Sequence, residues 1–358
     1  MDIKFQGAIY SCSGYAQIRH IFLELSKRHQ VRIEPFRTVD NVDFLDFEEY
    51  KKLENTELRK PYINVVSGIG PQIRRDYEAA YNIAYSMFET YAIPETWIPF
   101  YNEFDEIWTP SNFCKKAFNV KEINCSVQVI PLGFDDKIFT LKKKEKKFFT
   151  FLSVGKWIDR KGWDLLINAY TSEFVGNNEV RLCIKTDNEC KTAEEMVKEY
   201  LTTDRTSHMP RILVNNKKIS EMLMSEIYSE ADCYISASRG EAFGLPQLEA
   251  MASGVPVITS DFGGVKDFVN ENNGWLIPIN TLKFLSERIC KINAGYKNLW
   301  FAEPEIKDIR KIMRYVYEHK NEVAAKSLEA IKTAENFTWS KVAEIAKNRL
   351  KEIYEKIN

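Results

Sequence analysis

Short apolar runs recur along the whole chain, each bounded by Gly, Pro, Asn or Ser, and most are followed by a segment with helical spacing. In the first half, residues 3–11, 30–35, 62–67, 82–87, 106–111 and 127–133 read as strands. Residues 16–28 read as a helix with Ile18, Ile21, Phe22 and Leu25 on one face, residues 93–104 as a helix opened by Ile93-Pro94, and residues 113–118 as another. The charged stretch 43–58 has no clear period and is assigned no element. In the second half, strands are expected at 148–154, 180–185, 211–214, 232–237, 255–259 and 274–277, with helices over 163–170 and 246–253. A last helix opens at Asn336-Phe337-Thr338-Trp339 and carries Trp339, Val342, Ala346, Leu350, Ile353 and Ile357 at helical spacing, the stripe of a helix that docks. Strands and helices that alternate in this way predict an α/β chain with parallel sheets.

A chain of 358 residues exceeds one ordinary core and implies two domains of roughly 150 residues each. The division expected is 1–140 and 141–335, with 336–358 a helix returning to the first domain. The lysine-rich run 141–147 reads as the solvated linker between them, since no aromatic residues interleave with it as nucleic-acid binding would require. With 50 basic against 51 acidic residues, a net charge of -1 gives no electrostatic case for nucleic acid or an anionic membrane as partner. No apolar run approaches the ~20 residues that span a bilayer, and residues 1–5 enter a strand with no charged leader, so a cytoplasmic protein is expected. Seven cysteines, odd in number, scattered and without a C-x-x-C pair, suit small buried hydrophobes in a reducing compartment rather than a disulfide or zinc framework.

The candidate chemistry concentrates in two loops that follow strands. Residues 236–256 read as a strand end, a Gly-containing turn and a short helix, with Pro246 in its first turn and Gly254 and Pro256 as its stop. The start of that helix is a ready anion site. Two carboxylates eight positions apart, Glu241 in the loop and Glu249 placed on the first helical turn, flank it. An ordinary role for Glu249 there is to complement the helix dipole, worth ~0.3–1 kcal/mol, whereas Glu241 lies between Gly240 and Gly244 beside apolar Phe243 and Leu245 and is harder to explain so simply. In the loop 155–162, Lys156 and Lys161 stand five positions apart between glycines, able to converge on a diphosphate, although most such lysines are merely solvated. Two Rossmann-like halves would set these loops, Ser13-Gly14-Tyr15 and the segment after Glu89 opposite one another across a cleft. Gly68-Ile69-Gly70 begins a dinucleotide fingerprint, but Ile73 occupies the place of its third glycine, which makes an NAD-dependent dehydrogenase the weakest reading.

The run 241–258, EAFGLPQLEAMASGVPVI, resembles the E-x7-E signature of retaining GT-B glycosyltransferases of the family 4 type. Gly155-Lys156 with Lys161-Gly162 is similar to that family's G-R-x-x-x-x-K-G loop, and Thr109-Pro110-Ser111, residues 130–135 and Phe337-Thr338-Trp339 resemble further landmarks. The resemblance covers nearly the whole chain. It implies the GT-B fold and a transferase that moves a sugar, with retention and without metal or cofactor, from a nucleotide-diphosphate sugar to an acceptor hydroxyl, with UDP-sugars favoured and GDP-sugars next. It also implies that Glu249 holds the ribose hydroxyls, Lys156 and Lys161 the diphosphate, the backbone of Phe243, Gly244 and Leu245 the phosphate and sugar, and Glu241 the sugar hydroxyls. Gly14 and Tyr15 would contact substrate, and the base would be met near Asn215-Asn216-Lys217.

Three departures stand out. Lys156 replaces the usual arginine, keeping charge but losing bidentate geometry. Ser13-Gly14 stands for a Gly-Gly pair. Glu89 occupies the place of a sugar-facing His or Asp and is expected to orient the sugar. Tyr15, Tyr91, Trp97 and Tyr101 suit either sugar stacking or ordinary packing. The alternatives are a sugar-nucleotide epimerase and a non-catalytic sugar-nucleotide or glycan-binding protein. The acceptor and the oligomeric state stay open.

Overall fold

The computed structural model describes the chain except residues 12–13, 37–45, 143–145, 188–190, 202–208, 285–293 and 358. It forms two compact units, Met1–Gly133 with Phe337–Asn358, and Phe134–Asn336.

The first unit holds a six-stranded parallel sheet of β1 (Asp2–Gly7), β2 (Gln30–Pro35), β3 (Ile63–Ser67), β4 (Tyr81–Tyr85), β5 (Glu106–Thr109) and β6 (Ser126–Val129), in the order β2-β1-β3-β4-β5-β6. Every residue of β3 is buried, as a central parallel strand covered on both faces requires. The expected helix over 16–28 is two pieces, one turn at Gly14–Gln17 and then α1 (Arg19–Ser26). Phe22 of α1 stacks on Phe5 of β1 with ring centroids 4.0 Å apart. The expected helix over 93–104 is a 3-10 turn, Glu95–Trp97, followed by a single turn at Ile98–Tyr101. Pro94 and Pro99 limit the backbone donors there, and the buried Trp97 and Tyr101 supply the packing. The unassigned stretch contains a helix at Phe47–Glu54 that buries Tyr50.

The second unit's sheet contains β7 (Phe149–Val154), β8 (Val180–Lys185), β9 (Arg211–Asn215), β10 (Cys233–Ser236), β11 (Val257–Ser260) and β12 (Gly274–Ile277). Its order is β12-β11-β10-β7-β8-β9, again parallel. Helix α2 (Trp163–Glu173) packs a core of Trp163, Leu166, Ile167 and Tyr170 with Phe151 and Ile235. Helix α3 (Glu221–Ser229) precedes β10 and helix α4 (Leu245–Ala252) follows it. An antiparallel hairpin, β13 (Leu282–Phe284) with β14 (Trp300–Ala302), is an addition the sequence pattern does not separate. The unit begins at Phe134, seven residues before the expected boundary. The reason is side-chain anchoring: Ser225 Oγ donates to Ile138 O at 2.7 Å, and the Phe139 ring packs edge-on to Tyr228.

Helix α5 (Trp339–Ile357) belongs to the first unit, where Trp339 stacks on His20 at 5.0 Å. Burial, then the Arg19 charge beside it, lowers the His20 imidazole to about 3, so it packs as a neutral ring.

Each sheet has one place where the chain reverses its direction of strand addition: between β1 and β3 in the first unit, between β7 and β10 in the second. Loops at the carboxyl ends of such neighbouring strands diverge and leave room for a ligand. The loops at the second switch point are 155–162 and 237–244, the two singled out by their chemistry.

Candidate active site

Beyond β7, Trp157 and Trp163 stack at 5.1 Å, and Trp163 Nε1 donates to Lys156 O at 2.9 Å. These contacts fix the backbone of Lys156 and leave its side chain exposed. Among the described residues its ammonium has no ion-pair or hydrogen-bond partner. A 3-10 turn, Asp159–Lys161, follows, and it ends at Gly162 with φ +70°. A Cβ on Gly162 would stand 2.0 Å from Ala237 O, so glycine is required both for the left-handed backbone and for the close approach of the two loops. The Arg239 N–H donates to Arg160 O at 2.8 Å across that approach.

Arg239, 8% exposed, fastens the loops from the side. Its guanidinium meets both Asp164 oxygens at 2.9 and 2.7 Å, Asp159 O at 2.6 Å, and Glu303 Oε2 at 2.6 Å. A planar fork that satisfies two carboxylates and a carbonyl is arginine's particular geometry.

The result is a cluster around Glu241. Lys161 Nζ donates to Glu241 Oε1 at 2.6 Å, Arg160 lies 3.5 Å from Glu241 Oε2, and Arg160 also donates to Gly240 O. Burial by itself would raise this carboxyl. The Lys161 and Arg160 charges, with hydrogen bonds from Lys161 and Ser238, outweigh that and hold it below the usual range. The loop carrying Glu241 is gripped by Gly263-Gly264: Gly264 N–H donates to Glu241 O at 2.8 Å, and Cβ atoms on these glycines would fall 2.6 Å from Glu241 O and 2.0 Å from Ala242 O.

Phe243 turns inward against Phe268 at 5.2 Å, which leaves the backbone of the turn at the surface of the core. Gly244 has φ +104° and caps α4, whose first hydrogen bond runs from Leu248 N–H to Gly244 O. The N–H groups of Leu245 and Gln247 precede the helical ladder and are therefore the orphan donors of a helix start. Pro246 is the second helical residue rather than the first.

Glu249 is not in the first turn of α4, as the sequence reading placed it. It is the fifth helical residue, half-buried, and its Oε2 accepts a hydrogen bond from Tyr228 Oη at 2.8 Å. The dipole role fails with that placement. Burial lifts the carboxyl to about 8, with the Glu221 charge adding to the rise and the Tyr228 hydrogen bond opposing it. Thus the two acids of the same motif occupy opposite electrostatic settings: Glu241 is ion-paired, and Glu249 has no cation partner among the described residues.

Of the other residues singled out by sequence, Asn215 ends β9, is exposed, and spends its Oδ1 on the Lys217 N–H of its own turn at 3.2 Å; its carbonyl accepts from Thr186 N–H at 2.9 Å. Gly14, Tyr15 and Glu89 belong to the first unit. Gly14 starts a helical turn, and a Cβ there would meet nothing within 4 Å. Tyr15 Oη donates to Met87 O and accepts from Met87 N–H at 3.2 Å, and the Tyr15 carbonyl receives Ser67 Oγ at 3.5 Å, so this tyrosine stitches the switch point of β1 and β3 to the end of β4. Burial, the Tyr101 hydroxyl and the half-buried Glu89 charge all raise the Tyr15 hydroxyl well above its ordinary range, which places Glu89 near Tyr15. Tyr101 and Trp97 are core residues, while Tyr91 is 55% exposed.

Sequence reasoning missed Arg160, Arg239, Tyr228 and the Gly263-Gly264 clamp. Arg160 carried a readable signal, a third cation in the same glycine-bounded loop. Tyr228 carried none, because it lies 21 residues before its partner on a different helix.

The fold is shared with solved structures. Sucrose-phosphate synthase from Thermosynechococcus elongatus aligns with 99% of this chain and 100% of its own at a TM-score of 0.72 and 15% identity. Anabaena Alr3699/HepE in complex with UDP and glucose aligns with 98% of this chain and 100% of its own at a TM-score of 0.67 and 14% identity. The architecture is the GT-B type of paired Rossmann-like units. By sequence, residues 134–321, more than half of the chain, match the family "Glycosyl transferases group 1". The chain belongs to that family. A curated relative, the UDP-N-acetylglucosamine--peptide N-acetylglucosaminyltransferase GtfA subunit of Streptococcus agalactiae, is 28% identical over 206 residues, 57% of this chain and 37% of that protein. The match thus spans little more than a third of that relative's length.

Proposed function

We propose that the protein moves a hexosyl group from a nucleotide-diphosphate sugar to an acceptor hydroxyl, with retention and without a metal ion. The observation that carries this reading is the cationic set at the β7/β10 switch point. Lys156 is exposed and unpartnered among the described residues, Lys161 and Arg160 converge on Glu241, and the N-terminus of α4 opens beside them. Charge that develops on a leaving diphosphate is stabilised by such preorganised donors, which usually contribute the largest catalytic effect. In the proposed step, the bond from the anomeric carbon to the diphosphate breaks and its electron pair leaves with the phosphate oxygen. The acceptor oxygen bonds to the same face of that carbon, and its proton passes to the departing phosphate. Lys161 exchanges part of its contact with Glu241 for the diphosphate, and the freed Glu241 oxygen accepts from a sugar hydroxyl. Glu249 accepts from the ribose, and Glu89 with Tyr15 orients the sugar.

A UDP-sugar is the first donor to test, because a relative is named for UDP-N-acetylglucosamine and a structural neighbour for its complex with UDP and glucose. Thermal-shift screening against UDP-, GDP- and ADP-sugars, then NMR of the product's anomeric configuration in the presence of EDTA, tests the reading. Stabilisation by one nucleotide class and an α-linked product from an α-linked donor is the result expected. Inverted product, or turnover abolished by EDTA, contradicts it, as does isomerised donor sugar in the absence of acceptor, the mark of an epimerase. Unchanged turnover in Glu89→Gln removes Glu89 from the site.

A further inference from the structure

Glu249 is held in an unusual way for a half-buried acid. Its Oε2 has a single partner, the Tyr228 hydroxyl at 2.8 Å, and Oε1 has none among the described residues. A buried carboxylate is ordinarily paired with a cation, as Glu241 is with Lys161. A cation beside Glu249 would compete with a ligand for the carboxylate's acceptor sites. A neutral hydroxyl instead fixes one oxygen and the plane of the carboxyl while leaving the other oxygen's acceptor capacity intact.

Tyr228 itself has little freedom. It is fully buried on α3, edge-on to Phe139 at 5.8 Å and 6.4 Å from the Tyr234 ring, and Tyr234 Oη is in turn tied to Val154 O at the end of β7. The helix that carries it is pinned by Ser225 to Ile138. The hydroxyl therefore reaches Glu249 from a rigid base that includes the strand leading into the Lys156 loop.

We propose that Tyr228 is a positioning residue that orients the Glu249 carboxyl toward the two ribose hydroxyls of the donor nucleotide, and so sets the enzyme's preference for ribo- over deoxyribonucleotides. The proposal rests on the donor reading above. It adds a residue that touches no substrate and acts through Glu249.

The test uses the full chain with UDP, GDP and ADP and their 2′-deoxy counterparts, measured by calorimetry for wild type, Tyr228→Phe and Glu249→Gln. At about pH 8.5, where Glu249 is mostly charged, a hydrogen bond to it is worth about 1.5–3 kcal/mol, so wild type prefers the ribonucleotide roughly ten- to hundredfold. In Tyr228→Phe the preference falls to about threefold or less, and KM for the sugar nucleotide rises about tenfold with kcat within about twofold. Tyr228→Phe keeps the ring and its contacts with Phe139; a thermal midpoint close to wild type, measured alongside, separates loss of orientation from loss of fold. If Glu249→Gln loses the ribose preference and folded Tyr228→Phe retains it, the role of Tyr228 is overturned while the donor reading stands. If neither variant alters the preference, the assignment of Glu249 to ribose fails as well.

Discussion

Glu241 and Glu249 show how far a single residue's chemistry depends on what faces it. Both are glutamates of one short motif, yet Lys161 and Arg160 hold the first ionised while burial keeps the second largely protonated at neutral pH. The groups that act on Glu249 are Tyr228 and Glu221 of α3 and Tyr234 of β10. With its carboxyl raised to about 8, Glu249 gains charge as pH rises through that value, and the charged form is the stronger acceptor for ribose hydroxyls. Nucleotide affinity should therefore increase between about pH 6.5 and 8.5, and calorimetry on Glu249→Gln should show a flat profile over the same range. On the proposed reading, replacing Lys161 by Met removes a phosphate contact and leaves Arg160 as the cation beside Glu241 among the described residues, so kcat should fall about 10²- to 10³-fold, the usual effect of losing one charge-stabilising group. Initial rates of transfer measure this; a loss below tenfold would assign the phosphate role to Lys156. The types of these residues were legible in the sequence, since glycine-bounded lysines and a loop glutamate are local signals. The pairing of Lys161 with Glu241 was not, because it joins loops 80 residues apart.

At the scale of elements, two loops are brought together by backbone shape. Gly162 and Gly176 share nearly the same positive φ, +70° and +71°, but only Gly162 faces another backbone, Ala237 O at 2.0 Å from a built Cβ; at Gly176 nothing lies within 4 Å. Gly176→Ala isolates the cost of the left-handed conformation, about 1 kcal/mol. Gly162→Ala adds the steric clash and should lose more than about 2 kcal/mol in urea denaturation, with turnover lowered as Lys161 shifts; equal losses at the two sites would mean that the loops have room to part. The strands themselves were readable because their apolar runs are short, β-branched and bounded by breakers, and parallel burial makes those runs continuous. Irregular pieces were not. The segment 93–104 has helical apolar spacing, but its prolines and the burial of Trp97 and Tyr101 break it into turns. The hairpin β13–β14 pairs strands of only three residues, too short for any period to register.

The whole chain returns to its beginning through α5. Glu106 in β5 is fully buried and receives Trp108 Nε1 at 2.7 Å, Ser126 Oγ at 3.0 Å, and the Arg349 guanidinium through Nε at 3.0 Å and through Nη2. Arg349→Ala would leave that carboxylate with two neutral donors, a change that should cost about 2–3 kcal/mol, below the full penalty for a broken buried pair because arginine is partly solvated and the other donors remain. Thermal denaturation of the full chain reads it. Glu106→Gln, which keeps one acceptor oxygen but turns an amide donor toward the groups that now donate to the other, should destabilise as well. What the sequence determined by itself is the alternation of strand and helix, the two-unit plan and the loops that carry the chemistry, because each is written in residues close together along the chain. The tertiary structure alone decided that the first unit's opening segment ends at Gly133, that Arg239 bolts one loop to the other, and that of two glutamates eight positions apart one is paired by cations and the other, among the described residues, by Tyr228. Those choices depend on burial and on partners distant in the chain, and no local pattern encodes either.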